Sequence, residues 1–240
     1  MKKLVLFTLI FMMAFTVVFS QAPGTFTVGA RGGLGIGFND FSSAAKSEFR
    51  DDWGLGNNWD RWISMESLLH PVISAFGFYT FAPNMAVQLE ANIMINQGAR
   101  VIIHEDVASI MSFGFITAEM TTEYKFVSLD VPVLFRYTFM DAPVSVGLLA
   151  GPYLSIPVGK LKTTMTIKGD TGSSSGEVDM EGVGFGAAAG LFVAYPMGPG
   201  SIVGDVRFLF DFVHPKIKGT TDPMWNRRAL NITAGYQMTF

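Results

Sequence analysis

The chain has no cysteine among its 240 residues. That removes disulfide frameworks, thiol nucleophiles and thiolate metal sites at once. Charge is also scarce: Asp, Glu, Lys and Arg make up 15%, against roughly a quarter in a soluble chain. The net charge of −3 gives no basic surface for nucleic acid. His70, His104 and His214 stand alone, without a second ligand at metal spacing. After Phe19 no apolar run approaches the ~20 residues of a spanning helix. A chain that is 49% hydrophobic yet has no such helix points to amphipathic strands.

The one long apolar run lies at the beginning. Lys2 and Lys3 precede Leu4 to Phe19, and Val18 and Ser20 occupy the cleavage-site positions. This is the pattern of a secretory signal peptide over residues 1–20, with Gln21 opening a barrel domain over 21–240. Cutting after Ala22 would place Pro23 next, which disfavours it, and an uncleaved anchor helix is the alternative. Loss of Lys2 and Lys3 takes the net charge from −3 to −5.

What is abundant is alternation. In the last segment Leu230, Ile232, Ala234, Tyr236, Met238 and Phe240 are apolar, while Asn231, Thr233, Gln237 and Thr239 between them are polar. A period of two puts one set on each face of a strand. Eight such segments can be marked: 26–38, 68–81, 85–103, 124–139, 144–158, 181–195, 201–213 and 227–240. Each exceeds the ~9–11 tilted residues that cross a bilayer. The connections alternate too. Those at 82–84, 141–143 and 196–200 are tight and carry Pro, Gly, Asn or Asp, whereas 39–67, 104–123, 159–180 and 214–226 are long. Long outer loops and short periplasmic turns are the signature of an outer-membrane barrel. The expected fold is therefore all-β, a transmembrane antiparallel β-barrel of about eight strands in meander order. An even strand count places both termini on the periplasmic side.

Leu129-Asp130-Val131-Pro132-Val133-Leu134, followed after a short turn by Gly151-Pro152-Tyr153-Leu154, resembles the central hairpin of the PorT-type outer-membrane β-barrel family. These are small porin-like barrels broadly similar to OmpA and OmpX. The resemblance implies fold and location. The family mixes anchors, adhesins, secretion accessories and weak pores, so it implies no single role. The terminal Phe240, with Tyr236, also resembles the C-terminal signal read by barrel-assembly machinery.

Parity sorts the remaining side chains. Arg31, Arg136 and Arg207 fall on the polar faces of their strands, as do Glu90, Asp130, Asp205 and Asp211. An Arg facing lipid at midplane costs ~2–4 kcal/mol, so these seven are expected to form an ionic network in the lumen. Gln88, Asn92 and Asn96 share the face of Glu90, and Gly182, Gly184, Gly186, Ala188 and Gly190 form a bare inward strip on the sixth segment. That strip either leaves room for bulky neighbours or permits curvature. Tyr79, Tyr137, Tyr195 and Tyr236 share the apolar parity near the short-turn ends, where a periplasmic aromatic girdle would sit.

Two enzyme-like motifs fail on context. Gly184-Phe185-Gly186-Ala187-Ala188-Ala189 has the dinucleotide spacing inside an unbroken period-two pattern. Gly172-Ser173-Ser174-Ser175-Gly176 reads as a polar loop and not a nucleophile elbow. A barrel-embedded hydrolase would draw on His214 with Asp211, or on His104 with Glu105 and Asp106, but no nucleophile stands at a telling spacing. No catalytic, cofactor-binding or metal site is expected. The leading reading is a non-enzymatic monomer with a plugged lumen, in contact with outer-membrane lipid and the assembly machinery. Its first long loop offers Trp53, Trp59 and Trp62, with Phe41 and Phe49, to an extracellular ligand or envelope partner, or as an upper girdle. A narrow passive channel is the alternative, followed by a secretion accessory. The protein is expected to fractionate with outer membranes and to migrate faster on gels unheated than boiled; recovery in the soluble periplasm would contradict the barrel.

Overall fold

The computed structural model describes residues 24–42, 46–47, 60, 63–104, 119–141, 144–168, 172–220 and 225–240. The strands are β1 (Phe26–Gly37), β2 (Asp40–Phe41), β3 (Ile63–Ser67), β4 (Leu69–Ala82), β5 (Met85–Ile103), β6 (Met120–Asp141), β7 (Ser145–Ile167), β8 (Ser173–Glu181), β9 (Gly184–Met197), β10 (Gly200–Val213), β11 (Lys216–Ile217), β12 (Trp225–Asn226) and β13 (Arg228–Thr239). Eight of them, β1, β4, β5, β6, β7, β9, β10 and β13, pair antiparallel with their chain neighbours. The β1–β13 ladder closes the ring, with Thr27 opposite Thr239 and Gly37 opposite Ala229. Backbone bonds in both directions between Phe26 and Phe240 seal its end at 3.2 and 2.8 Å.

Burial follows the period of two and is inverted relative to a water-soluble protein. Leu34, Ile73, Leu191 and Ile232 are more than half exposed, while Gln88, Glu90, Ser128 and Asp130 are fully enclosed. So continuous an apolar exterior is what lipid solvates and water does not. Within the inward strip on β9, Gly186 sits under an aromatic ring from β7: a Cβ there would stand 2.7 Å from the Tyr153 ring. Bulky neighbours therefore fill the narrow interior where β9 is bare. Gly182 is the exception; it lies outside β9, exposed, at a left-handed φ of 87°.

Three features depart from the alternation. The register of β5 against β6 shifts between Met94 and Gln97, and Asn96 takes a φ of 59°. This bulge turns Asn96 outward and brings Gln97 into the interior, so the inward parity holds only up to Met94. Second, residues 159–180 are no plain loop. β7 continues to Ile167 and turns back as β8, which includes Ser173 to Gly176 of the supposed polar loop. Below Ser155 β7 pairs with β9, and above Lys160 it pairs with β8. The left-handed glycines Gly159 and Gly182 mark this change of partner. Third, β3 pairs with the upper part of β5, and β11 with β8.

Together β3, β5, β6, β7, β8 and β11 build a wall above the long-loop end of the barrel. Phe126 and Leu161 are its core, with Met65, Tyr124, Met180 and Ile217 packed on them. Its other face carries a charge ladder: Arg100 bonds Glu66 at 3.2 Å and Glu123 at 2.6 Å, and Lys125 bonds Glu123 at 2.5 Å. Bonds from Lys125 and Arg100 hold the Glu123 carboxyl below the usual carboxylate range.

Deleting Phe240 removes both terminal backbone bonds and its outward ring, so the yield of heat-modifiable barrel should fall strongly. Thr239→Ala loses one inward hydroxyl contact to Thr27 at 2.9 Å, about 1 kcal/mol, and should assemble nearly as wild type. Equal yields would show that closure does not depend on the last residue.

Candidate functional site: the charged interior

Strand parity delivers the charges, and the stagger of the strands decides their partners. Glu90 of β5 is central. Its Oε1 accepts Arg31 Nη2 of β1 at 2.5 Å and Arg207 Nη2 of β10 at 3.1 Å; its Oε2 accepts Arg207 Nη1 at 2.6 Å and Asn92 Nδ2 at 3.1 Å. Gln88 also donates to Oε1. Asp205 pairs with Arg31, lies 3.5 Å from Arg207 Nη2 and accepts Thr233 Oγ1 at 3.0 Å. β5 is not bonded to β10 in the sheet, so the Glu90–Arg207 pair spans the lumen.

A second group lies nearer the long-loop end. Arg227, just before β13, pairs with Asp130 and reaches Ser155 Oγ at 2.8 Å and Gln97 Oε1 at 3.2 Å. Ser155 donates to Asp130 at 2.6 Å and Ser128 to Gln97 at 2.9 Å. Asp211 accepts Tyr153 Oη, and Arg227 Nε lies 3.7 Å from it.

Arg136 differs from expectation. It has no carboxylate partner among the described residues. It donates to Gln88 Oε1 at 3.1 Å and lies over the Phe192 ring at 3.5 Å and the Phe78 ring at 4.4 Å. Asp130 and Asp211 instead use Arg227, which is not one of the seven residues expected in the network. With Arg227 counted, the interior holds Arg31, Arg136, Arg207 and Arg227 against Glu90, Asp130, Asp205 and Asp211, so the charges balance. The missing signal was present in the parity of the last segment, where Arg227 shares the face of Asn231 and Thr233. Tyr153, Gln97 and Ser155 also belong to this interior; Gln97 could not be found by parity, because the bulge hides it.

Tyr79, Tyr137, Tyr195 and Tyr236 all lie outward near the tight-turn ends of β4, β6, β9 and β13. Tyr236 Oη donates to the Met197 carbonyl at 2.9 Å. Phe240 points outward and is 72% exposed. Trp53, Trp59, Trp62 and Phe49 fall outside the described residues, as do residues 1–20, Glu105 and Asp106. Phe41 is buried and so is not an exposed loop ring. His214 Nδ1 lies 3.5 Å from Asp211 Oδ2 and accepts the Arg227 N–H at 3.3 Å, whereas His104 lies 3.4 Å from the Ser64 hydroxyl.

A closed antiparallel meander, apolar outside and charged within, defines a transmembrane β-barrel of outer-membrane type. The sequence model of the family described as outer membrane protein beta-barrel domain matches residues 19–213, and the chain belongs to that family. Its location is accordingly the bacterial outer membrane. Among solved structures, the chain is similar to Neisserial surface protein A (14% identity, 91% of this chain and 100% of that one, TM-score 0.44). It is also similar to OprG of Pseudomonas aeruginosa (15%, 90% and 96%, TM-score 0.45). A third is the outer membrane protease OmpT of Escherichia coli (8%, 92% and 99%, TM-score 0.43). No curated protein sequence matches.

Glu90→Gln leaves Arg31 and Arg207 with Asp205 alone, and breaking such a buried cluster should cost about 3 kcal/mol or more. Lys160→Ala on the wall removes only an exposed pair with Glu177 at 3.7 Å and should cost less than about 1 kcal/mol. Denaturant midpoints of refolded barrel in micelles, read by the gel shift, check the contrast; equal midpoints would show that the network is not load-carrying.

Proposed function

We propose that the protein is a non-enzymatic barrel with a sealed lumen, which anchors its wall and long loops at the cell surface for structural or interaction roles. The observation that carries this reading is the balanced interior. Four arginines and four carboxylates are held side by side with the rings of Phe76, Phe78, Tyr153 and Phe192. An eight-stranded barrel is only wide enough for its own side chains. Ions crossing it would have to displace paired charges from one another. His214 Nδ1 lies 3.5 Å from Asp211 but accepts the Arg227 N–H, so it does not donate to that carboxylate, whose Oδ1 is engaged by Tyr153 and Arg227; this suits a structural carboxylate better than one orienting a catalytic base. Short turns at one end, long connections at the other and the tyrosine row at the turn end support periplasmic termini. Outer-membrane lipid and the assembly machinery are the partners, with Phe240 as the assembly signal, and the barrel acts as a monomer. Trp53, Trp59 and Trp62 remain the proposed loop contacts for an extracellular ligand.

A narrow passive channel is the second reading. Asn92 Oδ1, Gln237 Oε1 and Arg207 Nε are buried without a protein partner, and such atoms favour a hydrated path.

Planar-bilayer recordings separate the two. Wild type should show no stable conductance, while Glu90→Ala or Arg207→Ala should add leak by opening the cross-lumen pair. A large, steady wild-type conductance unchanged in both variants would overturn the sealed lumen and support the channel.

A further inference from the structure

The outward face of the β1–β13 seam is not smooth. A groove of about 470 Å³ runs there, its floor at Gly32 and Ala234, its sides Leu34, Leu69, Leu230 and Ile232. Gly32 and Ala234 face each other in register, and both belong to the outward set, so the depression opens to lipid.

Beyond its Leu230 end, on the same outward face of β13, stands a cation. Arg228 has the outward parity of Leu230 and is exposed. Its guanidinium lies 5.3 Å from the Phe210 ring. On its other side Phe38, 45% exposed, donates its backbone N–H to the Arg228 carbonyl at 2.7 Å. Among the described residues Arg228 makes no ion pair, unlike Arg31, Arg207 and Arg227 inside. An outward Arg flanked by aromatic residues fits the membrane interface, where its cost falls to ~0–1 kcal/mol.

The spacing fits one lipid. From Arg228 to Ala234 the strand advances about 20 Å at the usual rise. At a tilt of about 40° this is about 15 Å of depth, half of a hydrocarbon core of about 30 Å. Arg228 and the groove below it therefore span from the interface to near the midplane, the depth of a single leaflet.

The geometry points to a binding site for an anionic phospholipid: Arg228 takes the phosphate and the Gly32–Ala234 groove seats an acyl chain. A straight aliphatic chain suits an open channel floored by glycine and alanine, and the unpaired guanidinium selects an anionic headgroup. The site does not depend on whether the lumen conducts. Only its assignment to the outer leaflet rests on the orientation of the termini.

Native mass spectrometry of the detergent-solubilised full chain tests it, with dimyristoyl phosphatidylglycerol, dimyristoyl phosphatidylcholine and inorganic phosphate as separate probes. Wild type should retain one phosphatidylglycerol in preference to phosphatidylcholine, and inorganic phosphate should neither bind nor compete. Arg228→Gln should reduce phosphatidylglycerol retention about fivefold, the effect of one basic side chain at a membrane surface, and phosphatidylcholine, whose phosphate is offset by its own ammonium, by less. Gly32→Leu should reduce both lipids, because its side chain fills the groove. The backbone accepts it: a Cβ at Gly32 meets only the Val72 carbonyl oxygen, at 3.8 Å. The heat-dependent gel shift confirms that each variant is folded. Unchanged retention in Arg228→Gln, no preference for the anionic lipid, or competition by inorganic phosphate would overturn the headgroup assignment. Full retention in Gly32→Leu, or a lipid-free dimer that this variant abolishes, would overturn the acyl-chain seat.

Discussion

In hydrocarbon no water is available to bond a backbone N–H or carbonyl, and each orphaned group costs several kcal/mol. A sheet can cross such a medium only if its first and last strands pair with each other. The β1–β13 ladder performs that closure here along the whole of β1, ending in reciprocal bonds between Phe26 and Phe240. Once the ring is shut the other features follow. Outward side chains must be apolar, polar ones turn inward, and the small circumference fixes how much room they find.

That room is scarce, and it explains the interior. A charge in the lumen is remote from bulk water and must meet an opposite charge within reach. Glu90 meets Arg31 and Arg207, Asp205 shares them, and Arg227 serves Asp130 and Asp211. Arg136 is accommodated differently, by the faces of Phe78 and Phe192 and one amide oxygen. Space for such a ring comes from glycine on the neighbouring strand, as with Tyr153 beside Gly186. The bare strip and the bulky rings are thus two halves of one packing solution.

Above the bilayer the constraint lapses and the strands change character. The wall has an apolar core on one side and a ladder of Glu66, Arg100, Glu123 and Lys125 on the other. The left-handed glycines Gly159 and Gly182 let β7 pass from one partner to another at this boundary. The protein is thereby an outer-membrane barrel with a built platform at its long-loop end.

How much of this was legible beforehand follows from what lipid imposes. A membrane demands strict alternation, so the eight barrel segments, the inward parity of Arg31, Glu90 and Asp205, and the outward parity of the four tyrosines could be read from residue order. Beyond the lipid band that demand ends. Lys160 to Ile167 and Ser173 to Glu181 pair as strands without the lipid-facing apolar pattern, and so resembled a loop. Parity also fails across a bulge, which is why Asn96 and Gln97 exchanged places. Partner choice across the lumen was beyond the sequence, because it depends on the relative height of residues on strands that never touch. The sequence determined that charges would lie inside this barrel; only closure and stagger decided that Glu90 would face Arg207, that Arg227 would hold Asp130, and that Arg136 would rest between two aromatic rings.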